Sequence, residues 1–286
     1  MQWRKVASMA MALWLMAALS SVPAAASAKV ESKPRSSPDL RSNAFYILDE
    51  SGSKVLAARN ERIAAPIASI TKLMTTLVVL EAGQPMGEMI AITRDDLRET
   101  AGSNSRLATG ARLSRADLLH LALMSSENRA AHALCRVYPG GMHACVSAMN
   151  RKARSLGMTT ARFVEPTGLS SGNVSSPMDL AKLVRAAAAN PTIRKYSTDP
   201  DHTVYVKGRA LEYRSTNSLV DKPDWQVTVQ KTGYNVDAGR CLVMQAVIDG
   251  RDVVIILLNS WGKLTRIGDA NRIRDWMESS SPSTAG

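Results

Sequence analysis

Three short motifs occur in the chain in an order that would support acyl transfer through a serine. They are Ser69-Ile-Thr-Lys72, Ser126-Glu-Asn128 and Lys231-Thr-Gly233. The first pairs a hydroxyl with an amine, the second pairs a hydroxyl with an amide, and the third supplies a cation at a strand edge. These groups suffice to acylate a serine with an amide carbonyl and then to hydrolyse the ester. The sequence therefore favours serine-based hydrolysis, provided that the fold brings the three motifs together.

Three of the four other copies of the first two motifs lie in unsuitable local structure, whereas geometry alone does not exclude the copy at Ser260–Lys263. Ser-x-x-Lys recurs at Ser51–Lys54 and Ser260–Lys263, and Ser-x-Asn recurs at Ser171–Asn173 and Ser215–Asn217, whereas Lys-Thr-Gly occurs once. The copy at 51–54 falls in a turn and a strand, and the copy at 260–263 leaves a strand with no partner motif downstream. Both extra Ser-x-Asn copies lie in polar connectors and are typical of turn or capping residues.

The first motif lies at the start of a predicted amphipathic helix. Apolar residues recur at i, i+3, i+4, i+7 and i+8 from Ile70, and the helix is expected to end near Gly83. Residues three apart share a helix face, so Lys72 would present its amine to the Ser69 hydroxyl. The helix N-terminus would favour negative charge that develops there.

The other two motifs are expected at element boundaries. Ser114-Arg-Ala-Asp117 reads as a capping box before an apolar helix, and a second helical pattern runs from Asn128 to Tyr138, so Ser126 would lie at a helix junction. The residues Trp225–Gln230 alternate as in a strand and deliver Lys231 at its end, before an expected break at Gly233.

The element pattern predicts an α/β (α+β) fold. Beyond the segments above it comprises a hairpin (44–48 and 54–58), helices at 142–156 and 177–189, a second hairpin (241–248 and 253–258) and a last helix at 264–277. This order predicts an antiparallel sheet built from both chain ends, with an inserted helical lobe. We expect the sheet lobe at residues 43–60 and 202–278, and the helical lobe at residues 61–201.

The N-terminus predicts export. Arg4 and Lys5 precede an apolar run to about Val22 and a small-residue site at Ala26-Ser27-Ala28, which is typical of a cleavable signal peptide over residues 1–28. Residues 29–42 would form a flexible leader and residues 279–286 a disordered tail, without a stable membrane anchor. The formal charge is +11, and removing Arg4 and Lys5 leaves +9, which suits an anionic cell wall.

Cysteines and histidines indicate a disulfide and no metal site. Cys135 and Cys145 flank the turn Tyr138-Pro-Gly-Gly141, so an intrachain disulfide is expected, whereas Cys241 lies in a strand-like run as a buried thiol. The histidines are dispersed, and no Cys/His cluster has metal-ligand spacing. No cofactor is expected. The basic residues are scattered among few aromatics, so nucleic-acid binding is not expected either.

The motifs and their surroundings resemble the low-molecular-mass penicillin-binding proteins, in particular the D-alanyl-D-alanine endopeptidase branch. The resemblance spans about residues 42–276 and also includes Phe163-Val-Glu-Pro-Thr-Gly-Leu169 and Ala238-Gly-Arg-Cys-Leu-Val243. It implies a β-lactamase/DD-peptidase-like fold with a five-stranded antiparallel sheet and a periplasmic setting. It also implies cleavage of the D-alanyl–diaminopimelyl cross-link in peptidoglycan and covalent inhibition by β-lactams at Ser69.

The expected roles follow from the residue types. Ser69 would attack the carbonyl carbon while Lys72, its pKa lowered by burial and by the charge of Lys231, accepts the proton. Ser126 would pass a proton to the departing nitrogen, and Asn128 would orient Lys72 and the substrate amide.

The strand motif would form the substrate-binding edge. Lys231 and Thr232 would hold a substrate carboxylate or carbonyl, with Gly233 and Tyr234 beside them. The backbone N–H groups of Ser69 and Tyr234 would form the oxyanion hole.

Three alternatives remain open from the sequence. A D-alanyl-D-alanine carboxypeptidase would use the same residues. The one feature that disfavours it is that the sequence is too short to include the extra C-terminal domain of the anchored carboxypeptidases. A class A β-lactamase would need a deacylating base, for which Glu165 is the candidate, although the Glu-x-x-x-Asn spacing of that enzyme is absent. A wall-binding module with inactive motifs is the third.

Overall fold

A five-stranded antiparallel sheet organises the part of the chain that the computed structural model describes, residues 37–51 and 53–280. Its strand order is β2-β1-β11-β10-β9. The sheet is therefore built from strands near both chain ends, as the sequence predicts. The predicted signal peptide (residues 1–28), the predicted leader up to residue 36 and the end of the predicted tail (residues 281–286) lie outside the described residues.

The strands and helices have the following bounds. The strands are β1 (Ser42–Asp49), β2 (Lys54–Arg59), β3 (Ala65–Pro66), β4 (Met89–Ala91), β5 (Arg112–Ser114), β6 (Val174–Ser175), β7 (Asp201–Val206), β8 (Arg209–Arg214), β9 (Gln226–Asn235), β10 (Gly239–Ile248) and β11 (Arg251–Ser260). The helices are α1 (Thr71–Glu81), α2 (Arg94–Glu99), α3 (Arg115–Met124), α4 (Asn128–Arg136), α5 (Gly141–Ser155), α6 (Pro177–Ala188), α7 (Pro191–Thr198) and α8 (Thr265–Ser280).

Both faces of the sheet are covered, which explains why β10 and β11 read as nearly continuous apolar runs. Successive strand residues point to opposite faces. Along β11, Val254 and Ile256 pack with α1 and α6, while Ile255 and Leu257 pack with α8 on the other face. Because helices cover both faces, these strands do not need the alternating polar residues that a half-exposed strand would carry.

The hairpin β7–β8 lies outside the five-stranded sheet, although the sequence analysis assigned residues from 202 onward to the sheet lobe. It forms a separate two-stranded sheet, and its Val204 and Tyr213 are buried in the same cluster as Leu118 and Leu121 of α3. The hairpin packs there because burying its apolar Val204 and Tyr213 against α3 removes apolar surface from water. The helical lobe thus includes this hairpin.

The end of the predicted leader is fixed against α8. Leu40 is buried, and the backbone N–H groups of Arg41 and Ser42 donate to the Asp269 carboxylate at 3.0 and 2.8 Å. Asp269 is itself fully buried and pairs with Arg272. A buried carboxylate needs such partners, so it fixes the start of β1. At the other end, α8 continues to Ser280, two residues into the predicted tail.

The predicted disulfide between Cys135 and Cys145 is present. Both residues are fully buried, and the bond joins α4 to α5 across the turn at Tyr138–Gly141. Among the described residues, no helix is both long enough and apolar enough to span a membrane.

We expect the double variant Cys135→Ser/Cys145→Ser to lose stability. A bridge that closes a loop of this size typically contributes about 2–4 kcal/mol, so the free energy of unfolding should fall by about that amount. Urea unfolding of the oxidised wild type and the variant measures it, and a reductant should destabilise only the wild type. Equal midpoints for the two proteins would show that the bond contributes nothing.

Candidate active site

Ser69 lies in a strained turn at the start of α1. The residues Ala68–Ile70 form a single 3-10 turn that leads into the helix at Thr71. Ala68 has φ +46°, in the left-handed region that alanine rarely adopts. Gly168 (φ +84°) packs so closely that a Cβ there would lie 1.9 Å from the Ala68 carbonyl oxygen. The turn is therefore held by a close backbone contact that only glycine permits.

Lys72 lies one turn later, and its amine is surrounded by three acceptors. Nζ lies 2.9 Å from Ser69 Oγ, 2.6 Å from Asn128 Oδ1 and 2.6 Å from the Thr167 carbonyl oxygen. The Lys72 side chain is fully buried. The structure thus joins residues of the first and second motifs to a loop carbonyl that the sequence analysis did not single out.

This arrangement determines the direction of proton transfer. A protonated lysine has three donors, and the three neighbours match them. A neutral amine has two N–H donors and one lone pair. The Asn128 amide oxygen and the Thr167 carbonyl can only accept, so both N–H groups must serve them. The lone pair of the neutral amine therefore faces Ser69, whose hydroxyl is the one neighbour that can donate.

Burial lowers the pKa of Lys72 to about 7, so the neutral form is well populated near neutral pH. The carboxylates of Glu165 and Glu127 act in the opposite direction and raise this pKa. The predicted lowering of the Lys72 pKa by burial is found, whereas the charge of Lys231, the second predicted cause, is not among the causes of the shift. Burial likewise lowers the pKa of Lys231, and the charges of Lys72 and Arg266 lower it further.

Ser126 lies at the predicted helix junction, between α3 and α4. Its backbone has φ +61°, and its side chain is half-buried. Within the described residues, no hydrogen bond joins its hydroxyl to Ser69 or Lys72. Its predicted role in proton transfer stays a prediction.

Glu127, between the two motif residues, is a feature that the sequence analysis missed. Its carboxylate is buried, caps α4 by accepting from the Ala130 N–H at 2.7 Å, and also accepts from the Ser105 hydroxyl. Burial raises its pKa. The cap fixes the first turn of α4 and hence the position of Asn128. The acidic residue one position before a helix was the available sequence signal.

The third motif lies inside β9, and the predicted break at Gly233 is wrong. The strand continues to Asn235, with Gly233 paired to Cys241 of β10. A Cβ on Gly233 would lie 3.0 Å from the Ile67 carbonyl oxygen and 3.3 Å from the Ser69 backbone nitrogen. The glycine therefore allows the strand to pass close to the nucleophile's backbone, and it does not end the strand.

Lys231 and Thr232 are buried, whereas Tyr234 is 58% exposed. Lys231 Nζ donates to the Thr232 carbonyl at 2.9 Å, and the Thr232 and Thr216 hydroxyls lie 2.5 Å apart. The Arg240 guanidinium lies over the Tyr234 ring, 4.5 Å from its centre. The Lys231 and Thr232 side chains are thus in the protein interior, whereas Tyr234 is at the surface.

Thr216 connects the second and third motifs. Its backbone N–H donates to the Met124 carbonyl at 3.1 Å, just before the helix junction that holds Ser126, and its hydroxyl contacts Thr232. The sequence analysis missed this residue because a threonine in a polar connector has no distinguishing pattern.

Glu165 is committed to its own loop. Its two oxygens accept from the backbone N–H groups of Thr167 and Gly168, each at 2.6 Å, and from the Asn173 amide at 2.8 Å. Asn173 is fully buried and also donates to the Thr71 hydroxyl at 3.1 Å. The loop glutamate therefore holds the Thr167 carbonyl against Lys72, which disfavours its use as a deacylating base.

Arg266, at the start of α8, is a further cation of the site that the sequence analysis did not identify. Its charge lowers the pKa of Lys231, and burial lowers the pKa of Arg266 itself. Its Nε is buried without a hydrogen-bond partner among the described residues. An unpaired buried donor beside a second cation is suited to an anionic group such as a carboxylate.

The fold and the serine–lysine pair define the class of active-site serine enzymes that comprises DD-peptidases and β-lactamases. Among solved structures, the D-alanyl-D-alanine carboxypeptidase from Mycobacterium tuberculosis H37Rv superposes with a TM-score of 0.77 at 26% identity, over 88% of this chain and 98% of that one. The predicted five-stranded fold of the β-lactamase/DD-peptidase type is thus confirmed.

The chain belongs to the peptidase S11 family, described as D-alanyl-D-alanine carboxypeptidase, which matches residues 29–262. It is 44% identical to a D-alanyl-D-alanine endopeptidase of Pseudomonas aeruginosa over 84% of this chain and 78% of that protein. It is 41% identical to a D-alanyl-D-alanine endopeptidase of Escherichia coli K12 over 93% of this chain and 86% of that protein. The resemblance to the low-molecular-mass penicillin-binding proteins is confirmed, and the chain is a serine-type DD-peptidase.

The first prediction from this site concerns pH. Only the neutral amine of Lys72 can take the Ser69 proton, so the rate of acylation by a β-lactam should fall as pH decreases through about 7. Lys72→Ala should remove this pH dependence and lower the rate by roughly 10²–10⁴-fold at pH values above the Lys72 pKa, the usual effect of losing a general base. Stopped-flow acylation with a fluorescent penicillin measures both.

Glu127→Gln tests whether the titration of Lys72 produces this pH dependence. Removing a carboxylate that raises the pKa of Lys72 should move the midpoint of this profile to lower pH. A rate that stays constant from pH 5 to pH 9 in the wild type would contradict the assignment of Lys72 as the base.

A second prediction concerns the close contact at Gly233. Gly233→Ala places a methyl group against the Ile67 carbonyl and the Ser69 backbone nitrogen, so Ser69 must shift. We expect acylation to slow by about 10–100-fold, since small displacements of a nucleophile are costly. Gly87→Ala is a control for adding a methyl group to a glycine, because nothing lies within 4 Å of a Cβ there and its backbone is not in the left-handed region. An unchanged rate in Gly233→Ala would refute the argument.

Proposed function

We propose that this protein is a D-alanyl-D-alanine endopeptidase that cleaves the D-alanyl–diaminopimelyl cross-link of peptidoglycan. The reaction proceeds through an acyl-enzyme on Ser69, and β-lactams inhibit it by acylating the same hydroxyl. Residues 43–278 are the peptidase domain. A signal peptide at residues 1–28 directs export to the periplasm, where the substrate lies.

The observation that carries this proposal is the set of contacts around the Lys72 amine. Two acceptor-only oxygens leave its lone pair facing Ser69, and its pKa of about 7 keeps that lone pair available. A serine with a buried, partly neutral lysine beside it is activated for attack on an amide carbonyl.

The proposed steps conserve atoms and charge. Ser69 Oγ bonds to the D-alanyl carbonyl carbon as its proton moves to Lys72, and the backbone N–H groups of Ser69 and Tyr234 stabilise the oxyanion. The C–N bond then breaks as Lys72 gives up this proton, which reaches the leaving nitrogen through the Ser126 hydroxyl. A water molecule next attacks the ester carbonyl carbon and passes a proton to the neutral Lys72 amine. The bond to Ser69 Oγ then breaks, and Lys72 returns the proton to Ser69.

The remaining site residues bind the substrate. Asn128 orients Lys72 and the substrate amide, while Lys231 and Thr232, with Gly233 and Tyr234 alongside, hold the carboxylate or carbonyl at the β9 edge. The unpaired Arg266 donor supports a carboxylate as the group recognised.

Two relatives that are 44% and 41% identical to this chain over the aligned residues are named endopeptidases, which favours cross-links as the substrate. The same catalytic residues would release D-alanine from an uncross-linked stem, so the carboxypeptidase reaction is the alternative that the experiment must separate.

Digestion of purified sacculi tests this proposal. Wild-type protein should convert cross-linked muropeptide dimers to monomers, because hydrolysis of the cross-link separates the two stems. Ser69→Ala should leave the dimers intact, since it lacks the attacking hydroxyl. Chromatography of the muropeptides measures the conversion.

Release of free D-alanine with the dimers untouched would instead establish a carboxypeptidase. Binding of sacculi without change in either product would indicate an inactive wall-binding module. Rapid turnover of benzylpenicillin, without a lasting acyl-enzyme, would support a β-lactamase.

A further inference from the structure

A polar cavity of about 450 Å³ lies beside the second motif. It is lined by Asn104, Ser105, Arg106, Ser125, Glu127, Tyr213 and Arg214. Its volume falls within the range of about 300–1,000 Å³ that is typical of small-molecule sites. The catalytic steps above use none of these residues directly.

The walls of this cavity offer mainly hydrogen-bond donors. The Tyr213 hydroxyl is buried and has no hydrogen-bond partner among the described residues. The Arg106 guanidinium lies over the Tyr213 ring, 4.0 Å from its centre, and Arg214 follows Tyr213 in the chain. Arg214 pairs with Glu212 at 3.1 Å, but its side chain is 81% exposed and remains accessible to a ligand.

Glu127, the acidic group in the wall, is already occupied. Its oxygens accept from the Ala130 N–H and from the Ser105 hydroxyl. Arg106 donates one N–H to the Glu212 carbonyl, and Arg214 pairs with the Glu212 carboxylate. The groups left for a ligand are therefore the remaining guanidinium N–H groups and a buried phenol. Such a set is suited to a carboxylate or to peptide carbonyl groups.

The cavity lies next to the proposed proton donor, and hence on the side of the site where the leaving group departs. Its lining includes Ser125 and Glu127, the neighbours of Ser126, which is the proposed proton donor to the leaving nitrogen. No cavity residue belongs to β9, the strand that carries Lys231 and Gly233. A chain attached to the leaving nitrogen can therefore extend into the cavity without displacing groups bound along β9.

We propose that this cavity binds the carboxylate-bearing peptide on the leaving side of the cross-link and so selects cross-linked substrates. This inference rests on the endopeptidase function proposed above. A carboxypeptidase reaction releases a single D-alanine, which is too short to fill the cavity, whereas cross-link cleavage releases an anionic peptide stem. The binding energy gained there is available to the endopeptidase reaction alone.

The test uses the double variant Tyr213→Phe/Arg214→Ala, with Arg209→Ala as a control. Arg209 is exposed at the opposite end of β8. Arg209→Ala therefore removes one positive charge, as Arg214→Ala does, without changing the lining of the cavity. Two rates are measured for each protein: kcat/KM on purified cross-linked dimers, and the rate of acylation by benzylpenicillin, which carries no leaving peptide.

The double variant should lose about tenfold or more in kcat/KM on dimers, the effect of losing a hydrogen bond to a charged group. Its acylation by benzylpenicillin should stay within about twofold of wild type, which also shows that it is folded. The Arg209→Ala control should match wild type in both rates.

Two results would overturn this inference while leaving the endopeptidase proposal intact. One is an unchanged kcat/KM on dimers in the double variant. The other is an equal loss in both rates, since the cavity would then act through the nucleophile and not through the leaving peptide. Wild-type protein that leaves dimers intact would instead refute the proposed function itself, and the inference with it.

Discussion

The burial of one amine among three oxygens is the constraint on which the rest of this site depends. Lys72 is fully buried, yet it retains hydrogen-bond partners on Ser69, Asn128 and the loop carbonyl of Thr167. Removing a lysine from water favours its neutral form, and the geometry directs the resulting lone pair to the nucleophile. The same burial that would destabilise an ordinary lysine therefore produces the base.

The surrounding fold can be understood as the means of holding these oxygens in place. Glu165 and Asn173 bind the loop that carries Thr167, and Glu127 caps the helix that begins with Asn128. Gly168 and Gly233 let two backbone segments approach the strained turn at Ser69 more closely than any side chain would allow. The two carboxylates nearest Lys72 also oppose the effect of burial, which keeps its pKa near 7 and not far below.

Local sequence patterns predicted much of this architecture, because periodicity and caps are local properties. The two hairpins of the sheet, the helix that starts at residue 177 and the pairing of Ser69 with Lys72 follow from such patterns. Features that depend on distant contacts were not predictable. Gly233 was interpreted as a strand end from its residue type alone. The contact that requires a glycine there is with the backbone of Ser69, which is distant in sequence.

The central claim is tested most directly by observing the Lys72 amine itself. Heteronuclear NMR of protein with labelled lysine side chains, with the signal assigned by its loss in Lys72→Arg, gives the titration of this one group. The account predicts a transition near pH 7, well below that of the exposed lysines. A Lys72 ammonium that stays protonated up to about pH 10, as an unperturbed lysine does, would contradict it.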